Sequence, residues 1–359
     1  MVFISFFTLC WMVIYLVAKR QYLDSISCRS YIPRNKLNYF AVVAFSLIYF
    51  CLNYYYTFND SWGMPGDRIN YKNGFENGLE TPSFGLYFIF QMVNHLGYGF
   101  EEVALTTTLI TLPVVFVSYK YSKYATPRSL LFFLITQYVF NGFVNLKQTY
   151  ANAFAVLAIT VMTNEKTIIG ECICLISIVL ACLFHPTGYI LLSIYILYKS
   201  NIRIRKISVV FIYVLLFVVF LEPIMLFIAN LTKNVIPFLG DKLLQYFGSE
   251  DSEEGRLLVM LKGSVYFYIL YNIIRYNRVL KHNIANYDFY VMLVFMGTSF
   301  YIVSFYNVWI PRSIEIISFP ILVFWSKCID YLPNKSRKVT FTFLLISFFT
   351  YRFLFIIFF

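Results

Sequence analysis

Long apolar runs separated by short polar segments dominate the chain, and their lengths predict membrane-spanning helices. A helix that crosses the hydrocarbon core of a bilayer needs about 20 apolar residues. Runs near this length lie at 2–18, 39–57, 101–119, 129–144, 148–163, 168–184, 187–199, 207–230, 257–275, 288–308, 313–330 and 339–359. Polar residues interrupt a further helical stretch near 83–98, which therefore predicts a re-entrant or interfacial helix. The pattern predicts an all-α fold, a polytopic membrane helical bundle with about 12 transmembrane helices.

Composition supports a membrane protein. Of the 359 residues, 60% are hydrophobic and 13% are charged, whereas soluble domains carry about 25% charged residues. No linker, charge run or internal repeat divides the chain, so residues 1–359 are predicted to form a single transmembrane domain. The seven cysteines show neither a disulfide framework nor a metal-ligand spacing.

The basic residues indicate how the helices are oriented. The net charge is +11, and with the N-terminus outside most of the 29 Lys and Arg residues fall in the inside loops. Basic loops set the orientation of polytopic membrane proteins, so the charge does not predict a nucleic-acid partner. If residues 83–98 crossed the membrane completely, the basic segment "YKYSKYATPR" would lie outside, against this charge distribution. The distribution therefore favours a re-entrant helix. The unusual polar residues then gather at the outer ends of the spans.

The segment "GDRINYKNGFENGLETPSFG", residues 66–85, is the most polar stretch on this outer side. "MPGD" predicts a turn, and one interpretation is a loop whose polar groups satisfy one another. The alternative is a functional segment, in which Asp67 and Tyr71 are the candidates.

His185 stands between two predicted spans, in "LACLFHPTGY", and Pro186 predicts that the first helix ends there. A histidine at a helix end can simply be a satisfied polar residue. An ionisable group near a broken membrane helix is also a candidate functional group, and imidazole can transfer protons near neutral pH.

Arg312 and Lys147 are candidates for binding an anion. Arg312 can pair locally with Glu315, three residues on, and Lys147, next to Gln148, can extend to the membrane interface. The functional alternative is that both cations face one phosphate-containing ligand, for which guanidinium is well suited. The sequence lacks a P-loop, a nucleotide-binding glycine motif, HExxH and a DxD pair, so it predicts no cofactor and no metal.

Four segments, in order, resemble the EpsG-type and related Wzy-type polysaccharide polymerases. They are "GDRINYKNGF" with "ETPSFGLYFIFQMVNHLG", then "NLKQTYANAFAVLAI", "LACLFHPTGYILL" and "WIPRSIEIISFPILVF". Together they extend from residue 63 to about residue 325. The family pattern usually has arginine at the position of Lys147. Lysine keeps the positive charge but lacks the planar guanidinium that can bond an anion through two parallel N–H groups.

The resemblance implies a GT-C-like membrane glycosyltransferase that polymerises oligosaccharide repeat units linked to undecaprenyl diphosphate. Its active site would face the periplasm, on the outer face of the bacterial inner membrane. His185, Asp67 and Arg312 are the catalytic candidates, and Lys147, Gln148, Tyr71, Arg68 and Glu315 are the substrate-binding candidates. A chain-length regulator and a flippase are the implied protein partners. The resemblance also implies that the segment 66–85 covers or binds the sugar chain. Carbohydrate rings stack on aromatic groups and bond to carboxylates, and Tyr71, Phe75, Glu76 and Glu80 supply both kinds of group.

Other functions remain open from the sequence. An O-antigen ligase uses the same donor, and a lipid-linked oligosaccharide flippase would bind the same lipid. A flippase is expected to place charges along a path at mid-membrane depth, whereas these candidates lie at the outer ends. A solute transporter is disfavoured because no paired broken helices lie at the predicted midplane.

Overall fold

The computed structural model describes residues 66–77, 83–121, 146–200, 227, 230–234, 253–303, 310–333 and 336. Every regular element within these ranges is a helix, which confirms the all-α prediction for this part of the chain. Two compact units are present, Met1–Ile196 with Leu322–Asp330 and Leu197–Ile321 with Tyr331–Phe359. That residues 1–359 form a single transmembrane domain stays a prediction.

The first unit contains five of the described α-helices, one 3₁₀ turn and all but the last three residues of a sixth α-helix. They are α1 (Gly66–Glu76), α2 (Phe84–His95), α3 (Phe100–Tyr121), α4 (Leu146–Asn164), α5 (Ile168–Phe184), the 3₁₀ turn (Pro186–Gly188) and α6 (Tyr189–Lys199). Helix α4 packs against both α3 and α5, while α2 packs on α3 and α5.

Helix α4 forms the core of this unit. Nearly all its side chains are buried, and Ala151, Ala153 and Ala155 are fully covered. Small residues allow neighbouring helices to approach closely. The outer surface of α5 is apolar, because Ile168, Ile169 and other aliphatic side chains are exposed.

The second unit contains α7 (Glu253–Arg275), α8 (Asn277–Asn283), α9 (Tyr287–Val303) and the first part of α10 (Ile310–Asp330). Helix α7 packs on α9. The Tyr266 hydroxyl lies 2.9 Å from the Ser318 hydroxyl, which links α7 to α10. A Cβ added at Gly297 would lie 2.5 Å from the Tyr266 ring, so α9 needs glycine at this contact.

Several predicted helices have the expected bounds. Helix α5 coincides with the apolar run at 168–184, and the helix predicted at 83–98 is α2, whose N-cap is Ser83. Whether α2 is re-entrant or interfacial stays a prediction. The predicted spans near 2–18, 39–57, 129–144 and 339–359, and nearly all of that near 207–230, lie outside the described residues. The number of spans is therefore also still a prediction.

Two segments predicted as loops are helical instead. Residues 66–76 form α1, in which Tyr71 and Phe75 lie one turn apart and pack inward. Residues 277–283, which connect the predicted spans near 257–275 and 288–308, form α8, which buries Leu280. Tertiary packing of these few apolar side chains outweighs the weak helix propensity of polar, glycine-containing sequence. Among the described helices, none combines the length and the unbroken apolar character needed to cross a membrane.

Candidate functional site

Tyr71 and Lys147 come together although they belong to different helices. Lys147 lies in the first turn of α4, and its Nζ is 5.2 Å from the centroid of the Tyr71 ring. Tyr71 is buried in α1, and Lys147 is half-buried. A cation at this distance is attracted by the electron-rich face of the ring. The structure therefore brings two of the predicted substrate-binding residues into contact.

His185 lies at the junction between α5 and the 3₁₀ turn. Helix α5 ends at Phe184, and Pro186 begins the turn, as the sequence predicted. The His185 backbone is extended, with φ −151° and ψ 139°, and its amide donates to the carbonyl of Ala181 at 3.0 Å. The half-buried imidazole caps the turn, since its Nδ1 accepts the backbone N–H of Thr187 at 3.2 Å.

Hydrogen bonds connect His185 to the start of α4. The Thr187 hydroxyl lies 2.9 Å from His185 Nδ1, and Gln148 Nε2 donates to that hydroxyl oxygen at 3.4 Å. Gln148 Nε2 also donates to Asn152 Oδ1 at 2.9 Å, one turn along α4. Gln148 and Asn152 are only 1% and 3% exposed. We call Tyr71, Lys147, Gln148, Asn152, Thr187 and His185 the Lys147–His185 cluster.

Close packing holds the histidine junction in place. The Phe184 ring stacks on the Tyr150 ring at 4.1 Å with an interplanar angle of 13°. On α2, a Cβ added at Gly85 would lie 2.8 Å from the Phe184 ring. A Cβ added at Gly188 would lie 2.5 Å from backbone atoms of α5, so the turn lies directly against that helix. These contacts leave little room for the His185 backbone to move.

Helix α1 is attached by an aromatic cluster. The Phe75 ring makes an edge contact with Phe90 of α2 at 5.4 Å and lies 6.1 Å from Phe100 of α3. Lys72 lies 3.9 Å from both Glu76 and Glu101. Phe75 and Glu76, which were predicted to contact sugar, have these structural partners within the unit, and their contact with sugar stays a prediction. Tyr71 is then held beside Lys147 by the packing of α1.

The remaining predicted residues are placed by their helices alone. Asp67 and Arg68 lie in the first turn of α1, whereas Arg312 and Glu315 lie near the start of α10. Their side chains, and residue Glu80 altogether, lie outside the described residues. Their assignment to the site stays a prediction.

Thr187 and Asn152 are members of the cluster that the sequence interpretation missed. Thr187 lies two residues after the histidine in "FHPTG", which is the position where a hydroxyl can bond back to the histidine ring. Asn152 follows Gln148 by four residues, the spacing of neighbours on one helix face. Both spacings are visible in the sequence, but the contact between α4 and the turn is not.

The cluster is suited to an anionic, oxygen-rich ligand. The first turn of α4 carries Lys147 and no acidic residue among its described positions. The partial positive charge of a helix N-terminus adds to that of the lysine, and both favour a bound anion. Within the described ranges, no group of three histidine, cysteine or acidic side chains is arranged to hold a metal ion.

The described helices bring a cation and several hydrogen-bonding groups together at adjoining helix ends, an arrangement that suits an anionic, polar ligand. The family comparison matches residues 42–359 to the EpsG family, and the chain belongs to that family. EpsG proteins are membrane proteins of polysaccharide biosynthesis. A comparison with curated proteins gave no match, and neither did a comparison with solved structures.

Proposed function

We propose that this protein is a polysaccharide polymerase that joins oligosaccharide repeat units carried on undecaprenyl diphosphate. It would act at the outer face of the bacterial inner membrane, with the lipid tail held among the helices. Family membership supports a glycosyltransferase-like polymerase. The single observation that carries the proposal is the Lys147–His185 cluster, which joins a lysine, neutral hydrogen-bond donors and an imidazole at one corner.

The reaction transfers the growing chain to a new unit. A hydroxyl oxygen at the non-reducing end of the new unit attacks C1 of the sugar on the donor lipid. The bond between C1 and the diphosphate oxygen breaks, and undecaprenyl diphosphate leaves with the electron pair. The acceptor hydroxyl loses its proton to His185 or Asp67. The products are a chain one repeat unit longer and free undecaprenyl diphosphate.

Charge stabilisation is the main task of the site. The sugar passes through an oxocarbenium-like state while negative charge grows on the diphosphate. Lys147 and Arg312 would stabilise that charge, and removing a group of this kind commonly lowers the rate by about a hundredfold or more. Gln148 and Tyr71 orient the lysine end of the site, and Arg68 and Glu315 complete the proposed binding surface. The donor bond is already activated, so neither cofactor nor metal is required.

A surface-polysaccharide gel tests this function. A null strain is complemented with the wild type, His185→Ala or Arg312→Ala, and lipopolysaccharide is separated by size. Loss of polymerisation leaves the lipid core capped by a single repeat unit, without a ladder of longer chains. The matched controls are His282→Ala and Arg278→Ala, which change exposed residues of the second unit and should preserve the ladder.

The same gel distinguishes the alternative functions. Loss of an O-antigen ligase, or of a flippase that supplies it, removes all capping of the core, including the single-unit band. A normal ladder from both His185→Ala and Arg312→Ala would defeat the assignment of these residues to the site. A null strain with no single-unit band would defeat the polymerase proposal itself.

A further inference from the structure

The direction of the hydrogen bonds at His185 determines where its proton lies. The backbone N–H of Thr187 points at Nδ1, 3.2 Å away. A backbone N–H can only donate, so Nδ1 must present its lone pair. A neutral imidazole protonated at one nitrogen then carries its hydrogen on Nε2. This tautomer is assigned from the hydrogen-bond network.

The side chains around the turn agree with the same assignment. With the hydrogen on Nε2, the Thr187 hydroxyl, 2.9 Å from Nδ1, is the donor in that contact. Its oxygen can therefore accept from Gln148 Nε2, and the other hydrogen of that amide goes to Asn152 Oδ1. The two amide orientations are assigned from this network, in which Asn152 Nδ2 has no partner among the described residues. The position of the histidine hydrogen therefore depends on the backbone N–H of Thr187, whose direction cannot reverse.

We infer that His185 acts as an Nε2–H donor to the departing diphosphate, and that Thr187 is the residue that positions it for this task. The inference rests on the proposed function and assigns a role within it. As the bond between C1 and oxygen breaks, the Nε2–H group donates a hydrogen bond to the diphosphate oxygen that receives the electron pair. Of the two candidate bases, Asp67 then takes the acceptor proton.

The neighbouring charge agrees with this role. Gln148, which bonds to Thr187, is adjacent in sequence to Lys147 at the cationic start of α4. Both residues lie in the first turn of the helix, so an anion bound at this helix end would gain from the cation and from the positive end of the helix. A general base placed there would instead have to hold its lone pair toward the substrate, and the Nδ1 lone pair of His185 is directed at Thr187.

Solid-state ¹⁵N NMR of the full chain in lipid bilayers tests the tautomer without any substrate. His95→Asn and His282→Asn remove the two other histidines, both exposed, so ¹⁵N-histidine labelling reports on His185 alone. At about pH 8, where an unperturbed imidazole is neutral, we expect the hydrogen on Nε2. Thr187→Val should raise the Nδ1–H population by about tenfold through loss of one hydrogen bond, and Thr187→Ser should restore the wild-type ratio. A hydrogen on Nδ1 in the wild type, or an unchanged ratio in Thr187→Val, would overturn the inference.

A pair of substitutions then tests the donor role in the gel assay. His185→Asn can keep an acceptor near the Nδ1 position, whereas His185→Gln can place an amide N–H near the Nε2 position. We expect chains from His185→Gln but none from His185→Asn, with both proteins present at wild-type amounts in the membrane. Absence of chains in both variants would overturn the donor role while leaving the polymerase proposal intact. A null strain that lacks the single-unit band is the separate result that defeats the proposed function.

Discussion

Replacing Gly85 with alanine tests the packing that holds His185. The added Cβ would lie 2.8, 2.9 and 3.0 Å from three atoms of the Phe184 ring. Ordinary carbon contacts are about 3.5–4.0 Å, so the ring must move by about 0.7 Å. Its stacking on Tyr150 at 4.1 Å restricts that movement. Overpacking of this kind lowers the free energy of unfolding by about 1–3 kcal/mol.

The same substitution should also reduce polymerisation. Phe184 directly precedes His185, so movement of the ring carries the turn with it. A displacement of about 1 Å at a reacting group can lower the rate by about a hundredfold. We therefore expect shorter or fewer chains in the lipopolysaccharide gel. The matched control is Gly263→Ala in α7, where the new Cβ would lie an ordinary 3.5 Å from Tyr301.

Titration with a denaturing detergent, followed by tyrosine and tryptophan fluorescence, measures the change in stability. In a Phe184→Ala background, Gly85→Ala should no longer destabilise, because the clash has been removed. It should instead stabilise by about 0.5–1 kcal/mol, since alanine favours the helix over glycine. Equal unfolding free energies for the wild type and Gly85→Ala would refute the packing argument. Additive effects of the two substitutions would do so as well.

Three further substitutions probe the charges around the cluster. Lys147→Gln should abolish long chains in the gel because it removes the cation at the start of α4. The control is Lys166→Gln, which changes an exposed lysine beyond the end of the same helix and should preserve long chains. Tyr71→Leu should lower the free energy of unfolding by about 0.5–2 kcal/mol more than Tyr71→Phe does, because phenylalanine keeps an aromatic face for the Lys147 cation. Equal decreases in the free energy of unfolding, measured by detergent titration, would contradict this. Lys72→Gln should change the free energy of unfolding by less than about 1 kcal/mol, because the ion pairs of Lys72 are 3.9 Å long and solvent-accessible. A larger change in the same titration would contradict this.

Apolar run length was sufficient to locate the described long helices. The run at 168–184 and the proline at position 186 together predicted both ends of α5. The same criterion failed for α1, because its stability comes from rings that pack against α2 and α3 rather than from its own sequence. Single-sequence periodicity contains no information about such distant contacts.

The candidate site was predicted less completely. Lys147, Gln148 and His185 were selected as polar residues at predicted helix ends, and the structure joins them through Thr187. Asn152 looked like an ordinary position within an apolar run, and only the contact with Gln148 gives it a role. Which helix ends adjoin one another depends on the packing of α4 against α5, and sequence alone did not supply that geometry.

All members of the Lys147–His185 cluster belong to the stretch Met1–Ile196. During synthesis, the ribosome has therefore made every one of these residues before it begins the next 160 or so positions. Chains generally fold from the N-terminal side as they emerge. The residues of the hydrogen-bonded corner around His185 are thus all made well before Leu322–Asp330, the part of the same unit that can join them only late in translation.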